Sequence, residues 1–267
     1  MLAVVLCQPA YAADDFVGPW EKFSVSLGGF GALSSSDIRI GTDLLGAGID
    51  IDIEEALGVS SSVTSARLDA LYRLGEKRRH RLGLSWFAFR RDGTFVAEED
   101  FNEGDINISA GDTVNTIYNI DILKFDYAYS FFMDERFNLA VSGGLFLMPI
   151  EIGIAASPGG ESTKTDITAP LPVVGFNFDY AISPKWMLKQ NFELFYLEIG
   201  GYRGGIFDSR LVVEWNVWEH WGFGAGIDST RMSVESTNQN EDVPGVDFIG
   251  SIKMNYFGLM LYAKYRF

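Results

Sequence analysis

The 267-residue chain has one cysteine, Cys7, so no disulfide can form within it. Histidine is almost as scarce, with only His80 and His220. No run of about 18 or more apolar residues occurs, which excludes a transmembrane helix. Basic residues are few: 21 Lys and Arg face 36 Asp and Glu, a net charge of -15. That balance argues against a nucleic-acid partner, which needs a basic face. A sustained 3.6-residue hydrophobic period is missing as well.

What is present is apolar, aromatic and alternating. The chain is 47% hydrophobic and 14% aromatic, too apolar for disorder. Its dominant period is two, the period of strands. Leu211, Val213, Trp215 and Val217 alternate with Arg210, Val212, Glu214 and Asn216. Ala66, Leu68, Ala70, Tyr72 and Leu74 alternate with Ser65, Arg67, Asp69 and Arg73. Trp221, Phe223, Ala225 and Ile227 alternate with Gly222, Gly224, Gly226 and Asp228. Such segments predict ten strands, near 21–34, 62–74, 79–91, 113–131, 136–154, 167–182, 185–199, 203–218, 220–236 and 247–267. Pro149 is expected to mark a bulge or an early end, because proline cannot donate to a ladder. The phase slips near Ile120 to Leu123, which suggests a further bulge.

The predicted connections alternate in length. Tight turns at 75–79, 133–135, 183–184 and 219 separate longer links at 35–61, 92–112, 155–166, 200–202 and 237–246. Short turns on one side and long loops on the other suit a closed antiparallel transmembrane β-barrel, an all-β fold. One face is apolar and carries Phe23, Trp86, Phe137, Trp186, Trp215, Trp221 and Phe267 toward strand ends, as at a lipid–water interface. The other carries a charge network for the lumen: Arg67, Asp69, Arg73, Lys124, Asp126, Asp179, Lys189, Glu193, Arg210 and Glu214. A soluble barrel would show the same alternation with its faces exchanged, so the aromatic ends and the leader decide. Residues 1–12 end in Ala10-Tyr11-Ala12, a signal-peptidase pattern that lacks a basic n-region and is therefore incomplete. Leu6 is too large to precede a lipidated Cys7. Residues 13–20 then form a short periplasmic lead and 21–267 the barrel.

The final strand is the sharpest motif. Phe257, Leu259, Leu261, Ala263, Tyr265 and Phe267 alternate with Tyr256, Gly258, Met260, Tyr262, Lys264 and Arg266. This tail resembles that of Gram-negative outer-membrane barrel proteins, which finish in alternating aromatics and a terminal Phe. The resemblance implies location in the outer membrane of a Gram-negative bacterium. It implies insertion by the barrel-assembly machinery, with Tyr265 and Phe267 as the assembly signal. Partners are then outer-membrane lipid and lipopolysaccharide, with the barrel a monomer that binds no nucleic acid.

Chemistry is weakly signalled. A ten-strand count is also similar to the omptin proteases, and lipid A deacylases share the membrane. Both classes need a histidine toward the outer surface, whereas His80 and His220 flank predicted periplasmic turns. No catalytic residue, cofactor or metal is therefore expected. Asp50-Ile-Asp-Ile-Glu54 starts like a calcium loop but has Glu55 where glycine belongs and Ser61 where the final Glu belongs. The acidic loops, with Asp43, Asp50, Asp52, Glu54, Glu55, Glu98, Glu99, Asp100, Glu103 and Asp105, are expected to be solvated. Glu54 to Gly58 suits one helical turn ended by glycine. The basic turn Glu76 to Arg81 is expected to stand in solvent, with anionic inner-leaflet lipid or a periplasmic partner as the alternatives. The expected role is structural, binding or narrow passive channel, with a largely filled polar lumen; an outer-surface hydrolase is the alternative.

Overall fold

The computed structural model describes residues 20–40, 49–56, 58–97, 101–103, 106–157, 162–199, 202–236 and 250–267. The leader, residues 13–19 and half of the acidic loop residues named above lie outside this set. Along the chain come β1 (Phe23–Ile40), β2 (Ile49–Asp52), α1 (Ile53–Ala56), β3 (Ser62–Leu74) and β4 (His80–Val96). Next are the small loop hairpin β5 (Phe101–Glu103) and β6 (Ile106–Ile108), then β7 (Thr113–Met133) and β8 (Phe137–Ser157). Last are β9 (Ser162–Ala181), β10 (Trp186–Ile199), β11 (Tyr202–Asn216), β12 (Trp221–Ser236) and β13 (Gly250–Arg266).

Ten of these close a barrel in the order β1, β3, β4, β7, β8, β9, β10, β11, β12, β13, and β13 returns to β1. The closing ladder runs from Ser24↔Arg266 to Ile40↔Gly250. Closure leaves no edge within hydrocarbon, the condition a lipid-spanning sheet has to meet. Phe267 donates its N–H to the Phe23 carbonyl at 2.9 Å, so both described termini meet on the short-turn side.

The alternation read from sequence sets the two faces. Leu27, Leu68, Phe125, Val141, Val174, Leu194, Leu259 and Leu261 are exposed on the outer wall. On β4 that wall is Leu82, Leu84 and Trp86, and charge begins at Arg90, which pairs with Asp121 at 2.7 Å. From His80 to Arg90 the strand rises about 26 Å at ~3.4 Å per residue and a ~40° tilt, close to the ~25 Å apolar band of such barrels. At the turn side, rings gather: Trp186 stacks on Trp215 at 5.6 Å, Trp221 meets Tyr265 at 5.0 Å and Phe137 meets Tyr180 at 4.7 Å.

Three expectations need correction. The phase does not slip at 120–123: Val114, Thr116, Tyr118, Ile120, Ile122 and Lys124 all point inward in unbroken alternation. The upper inner face is itself apolar, so Ile120 and Ile122 read as lipid-facing when they are not. The register shift of β7 lies instead at Ser130/Phe132. Pro149 neither ends nor bulges β8, which continues to Ser157. It leaves a gap in the ladder between Ile120↔Ile150 and Leu123↔Leu147, with unchanged register on both sides. Trp86 sits within β4 rather than at its end, because the strand continues to Val96. There its indole N–H donates to Asp121 at 3.3 Å.

Candidate functional site

The inward face gathers most of the chain's buried charge, and it is layered. Nearest the turns, residues ahead of β1 enter the mouth. Trp20 is buried, donates its indole N–H to the Asp134 carbonyl at 2.7 Å and lies under the Arg73 guanidinium. Glu21 reaches up to Lys264 at 3.3 Å and Lys189 at 3.7 Å. Burial alone would raise the Glu21 carboxyl, but Lys264, then Lys189 and Arg73, hold it well below its ordinary 4.5.

Glu214 is the hub of this layer. It accepts from Lys189 at 3.0 Å, from the Tyr262 hydroxyl at 2.6 Å and from Lys264. Gly224 makes that arrangement possible, since a β-carbon there would enter the Tyr262 ring. Beside the hub, Arg73 and Arg81 flank Asp179 at 3.7 and 3.8 Å. Asn138 donates to Asp179 at 2.8 Å, and Arg81 donates to Asn177 at 2.6 Å.

A second charged layer lies above. Arg67 bridges Asp69 at 3.1 Å and Asp228 at 2.9 Å, while Arg210 reaches Asp69 at 3.3 Å. Thr230 donates to Asp208. Lys124 meets Glu193 at 2.5 Å. Between the layers remains a polar cavity of about 110 Å³, lined in part by Ser24, Ser85, Asp126 and Asn191. That is room for a few waters at roughly 30 Å³ each.

Higher still the lumen turns apolar. Phe30, Phe87, Phe89 and Tyr256 form a largely edge-to-face cluster with centroids 5.3 to 6.1 Å apart. Met148, Leu171, Ile206, Met232 and Met254 pack into the same core. Arg67 and Lys124 lay their charges on the underside of this layer, at 4.6 Å from the Phe87 ring and 5.4 Å from Phe146. The lumen is therefore filled, with an apolar layer above its charged lower part.

The outer mouth carries a strap. β2 pairs with the upper part of β1, and α1 follows it. Gly58 closes the helix at φ 62, the left-handed geometry glycine permits, so the expected capped turn is present. Glu54 is not a solvated loop acid: it accepts from Arg91 at 2.5 Å and from the Ser36 N–H at 2.8 Å. Arg91 in turn covers the Tyr118 ring at 4.4 Å. On the far side β9 and β10 part above Leu194↔Val174. Pro170 and Pro172 stand on β9 there and have no N–H to offer β10.

Of the ten charges named from the sequence, Asp69, Lys124, Asp126, Asp179, Lys189, Arg210 and Glu214 line the inner cavity, and Arg67, Arg73 and Glu193 are buried. The sequence reading left out Glu21, Arg81, Asp208, Asp228 and Lys264. Asp228 and Lys264 share the inward parity of their strands, and Asp208 stands two residues before Arg210, so parity could have found them. Glu21 precedes β1, and nothing in its sequence signals entry into the barrel. His80 and His220 lie exposed beside periplasmic-side turns; His80 Nδ1 is 2.7 Å from the Tyr127 hydroxyl, and His220 stacks on Tyr265 at 5.7 Å. Among the described residues no group of three or more His, Cys, Asp or Glu is arranged to hold a metal.

The sequence matches no family model and no curated protein. Solved structures do match. The outer membrane protease OmpT from Escherichia coli superposes with a TM-score of 0.60 at 10% identity, over 92% of this chain and 96% of that one. The attachment protein Ail of Yersinia pestis gives 0.39 at 11% identity, over 92% and 99%. OprG from Pseudomonas aeruginosa gives 0.30 at 12% identity, over 92% and 96%. The fold is that of Gram-negative outer-membrane barrels. With the lipid-facing band of the outer wall, it makes this chain an integral outer-membrane barrel, its short turns on the periplasmic side.

Proposed function

We propose that the barrel is a non-conducting membrane scaffold that binds at its outer surface and performs no catalysis. One observation carries this reading: the lumen is stoppered twice, by paired charges below and by an aromatic and methionine layer above. A hydrated ion path needs a continuous polar lining, and the Phe30–Phe87–Phe89–Tyr256 cluster interrupts one. Both histidines lie at the turn side, away from the surface where an omptin-type or lipid A deacylase chemistry would need a base. Lipopolysaccharide is the partner proposed for the rim, where Arg231 and Lys253 are exposed above the apolar band on adjacent strands. The exposed Phe267 beside Tyr265 is the proposed handle for the barrel-assembly machinery.

Planar-bilayer recording of the purified protein tests the central point. No unitary conductance steps are expected from the wild type, and steady ohmic steps would overturn the reading. Incubation with lipid A and with peptides is expected to give no turnover; hydrolysis of either would favour the enzyme alternative.

A further inference from the structure

The outer wall bears one dent that the lumen does not explain. It lies across β3, β4, β7 and β8, has a volume of about 520 Å³ and is almost wholly apolar in lining. Tyr72, Leu82, Phe125, Tyr127 and Leu145 wall it, and the small Ala70 leaves its floor low beside the backbone of Gly83 and Gly144. Its size falls within the roughly 300–1,000 Å³ of small-molecule sites. The two glycines face the lumen: a β-carbon at Gly83 would run into the Asp126 carboxyl, and one at Gly144 into the Phe125 carbonyl oxygen.

The place of the dent is informative. Tyr72 and Leu82 pair across β3 and β4, and the turn 75–79 joins those two strands. Tyr72 stands two residues below the end of β3, about 7 Å at ~3.3 Å per residue. The turn is the basic segment Glu76-Lys77-Arg78-Arg79 that the lumen network leaves out. Arg78 is occupied, donating to the Trp20 carbonyl at 2.5 Å. Lys77 and Arg79 have no acidic partner among the described residues, while every lumen cation named above has one. Tyr127, linked to His80, brings a hydroxyl to the boundary between dent and turn. An apolar groove next to a turn that carries two cations without acidic partners, with a tyrosine hydroxyl between them, matches a molecule with an acyl chain and an anionic head.

We propose that this dent is a specific site for an anionic phospholipid of the periplasmic leaflet, with an acyl chain in the groove and its phosphate at Lys77 and Arg79. This assignment rests on the orientation of the barrel and is independent of whether the barrel conducts. Tyr72, Tyr127 and the small Ala70 select the chain, and the turn selects the head.

Native mass spectrometry of the intact barrel, released from mixed phosphatidylglycerol and phosphatidylethanolamine bilayers, tests it. The wild type is expected to retain phosphatidylglycerol preferentially, since a cation near an anionic lipid surface contributes about fivefold in affinity. K77S/R79S should keep a bound lipid and lose the preference, up to about 25-fold for the two cations together. Ala70→Trp fills the groove from the lipid side and should lose the retained lipid whatever its head. Heat-modifiable migration on gels and far-ultraviolet circular dichroism verify that both variants fold. The well-packed charge-neutral variant Ala70→Leu, which fills less of the groove, provides a graded second reading if Ala70→Trp does not insert. Equal retention of the two lipids by the wild type, or unchanged retention in the filled variants, overturns the assignment. So does a shift from dimer to monomer in the filled variants without loss of lipid, which would make the dent a contact between copies.

Discussion

The hub at Glu214 gives the most demanding test of how the lumen is held. Two ammonium groups, Lys189 and Lys264, share two carboxylates, Glu214 and Glu21, and all but Lys189 are nearly fully buried. Replacing Glu214 by Leu leaves both cations against Glu21 alone and strips the Tyr262 hydroxyl of its acceptor. Removing one partner of a buried pair costs about 3–5 kcal/mol, because the remaining charge stays desolvated. Adding Lys264→Met restores balance, since Lys189 then faces Glu21 one to one. A neutral apolar replacement of a whole pair is often near neutral. The double variant is therefore expected to be more stable than Glu214→Leu alone, with a coupling energy of roughly 2–3 kcal/mol. Equilibrium urea unfolding in lipid vesicles can follow this through the chain's six tryptophans, since Trp186 and Trp215 lie at the membrane boundary. A double variant as unstable as the sum of the two single variants would refute the charge-balance account. So would a Glu214→Leu cost below about 1 kcal/mol, within the range of surface pairs.

Other perturbations are simpler. Because the folded barrel holds Glu21 below its ordinary 4.5, its contribution to stability is present above that value and is lost as pH falls beneath it. Glu21→Gln should therefore flatten the acid side of the stability profile, measured as the urea midpoint between pH 7 and pH 3; an unchanged slope would contradict the assignment. Gly224→Val should cost about 1–3 kcal/mol by driving into the Tyr262 ring, whereas a cost near zero in urea unfolding would place the ring elsewhere. Arg91→Ala removes the anchor of the strap, so the Ser36 amide and the α1 amides should exchange hydrogen faster; unaltered exchange would mean that Glu54 does not hold them. Phe30→Ala should cost about 3–5 kcal/mol in urea unfolding, whereas a cost below about 1 kcal/mol would mean that the upper layer is not packed around this ring.

Much of the fold was legible because parity is a strong signal in this chain. Strand positions from 62–74 to 220–236 agree with the structure within a few residues, since turns such as Gly75 to Arg79 and Ser183-Pro184 are chemically distinct from the strands. Strand ends on the outer side were read short. The link expected at 155–166 shrinks because β8 and β9 run on above the apolar band, and β11 begins one residue earlier than expected. The outer part of β9 reads Ser162-Thr-Lys-Thr-Asp166, polar on both faces, and so resembles a loop in composition. The parting of β9 from β10 was equally hidden. Pro170 and Pro172 were visible, but their meaning depends on which neighbour each strand faces.

Parity tells which residues share a face and not what that face becomes when the barrel closes. The upper inner face carries Tyr118, Ile120, Ile122, Met148 and Met254, the same residue types that face lipid elsewhere, so its apolar layer could not be separated from the outer band by pattern. The lower face was separable, because charge inside a narrow barrel has to be paired. Its seven described cations, Arg67, Arg73, Arg81, Lys124, Lys189, Arg210 and Lys264, meet eight acids: Glu21, Asp69, Asp126, Asp179, Glu193, Asp208, Glu214 and Asp228. That leaves one negative charge in the network of a chain whose net charge is -15, so fourteen lie outside it. A charge-selective pore needs a lining of one dominant sign. Near-neutral pairing within, beneath an apolar layer, and surplus acid without, is instead the distribution expected of the closed barrel proposed above.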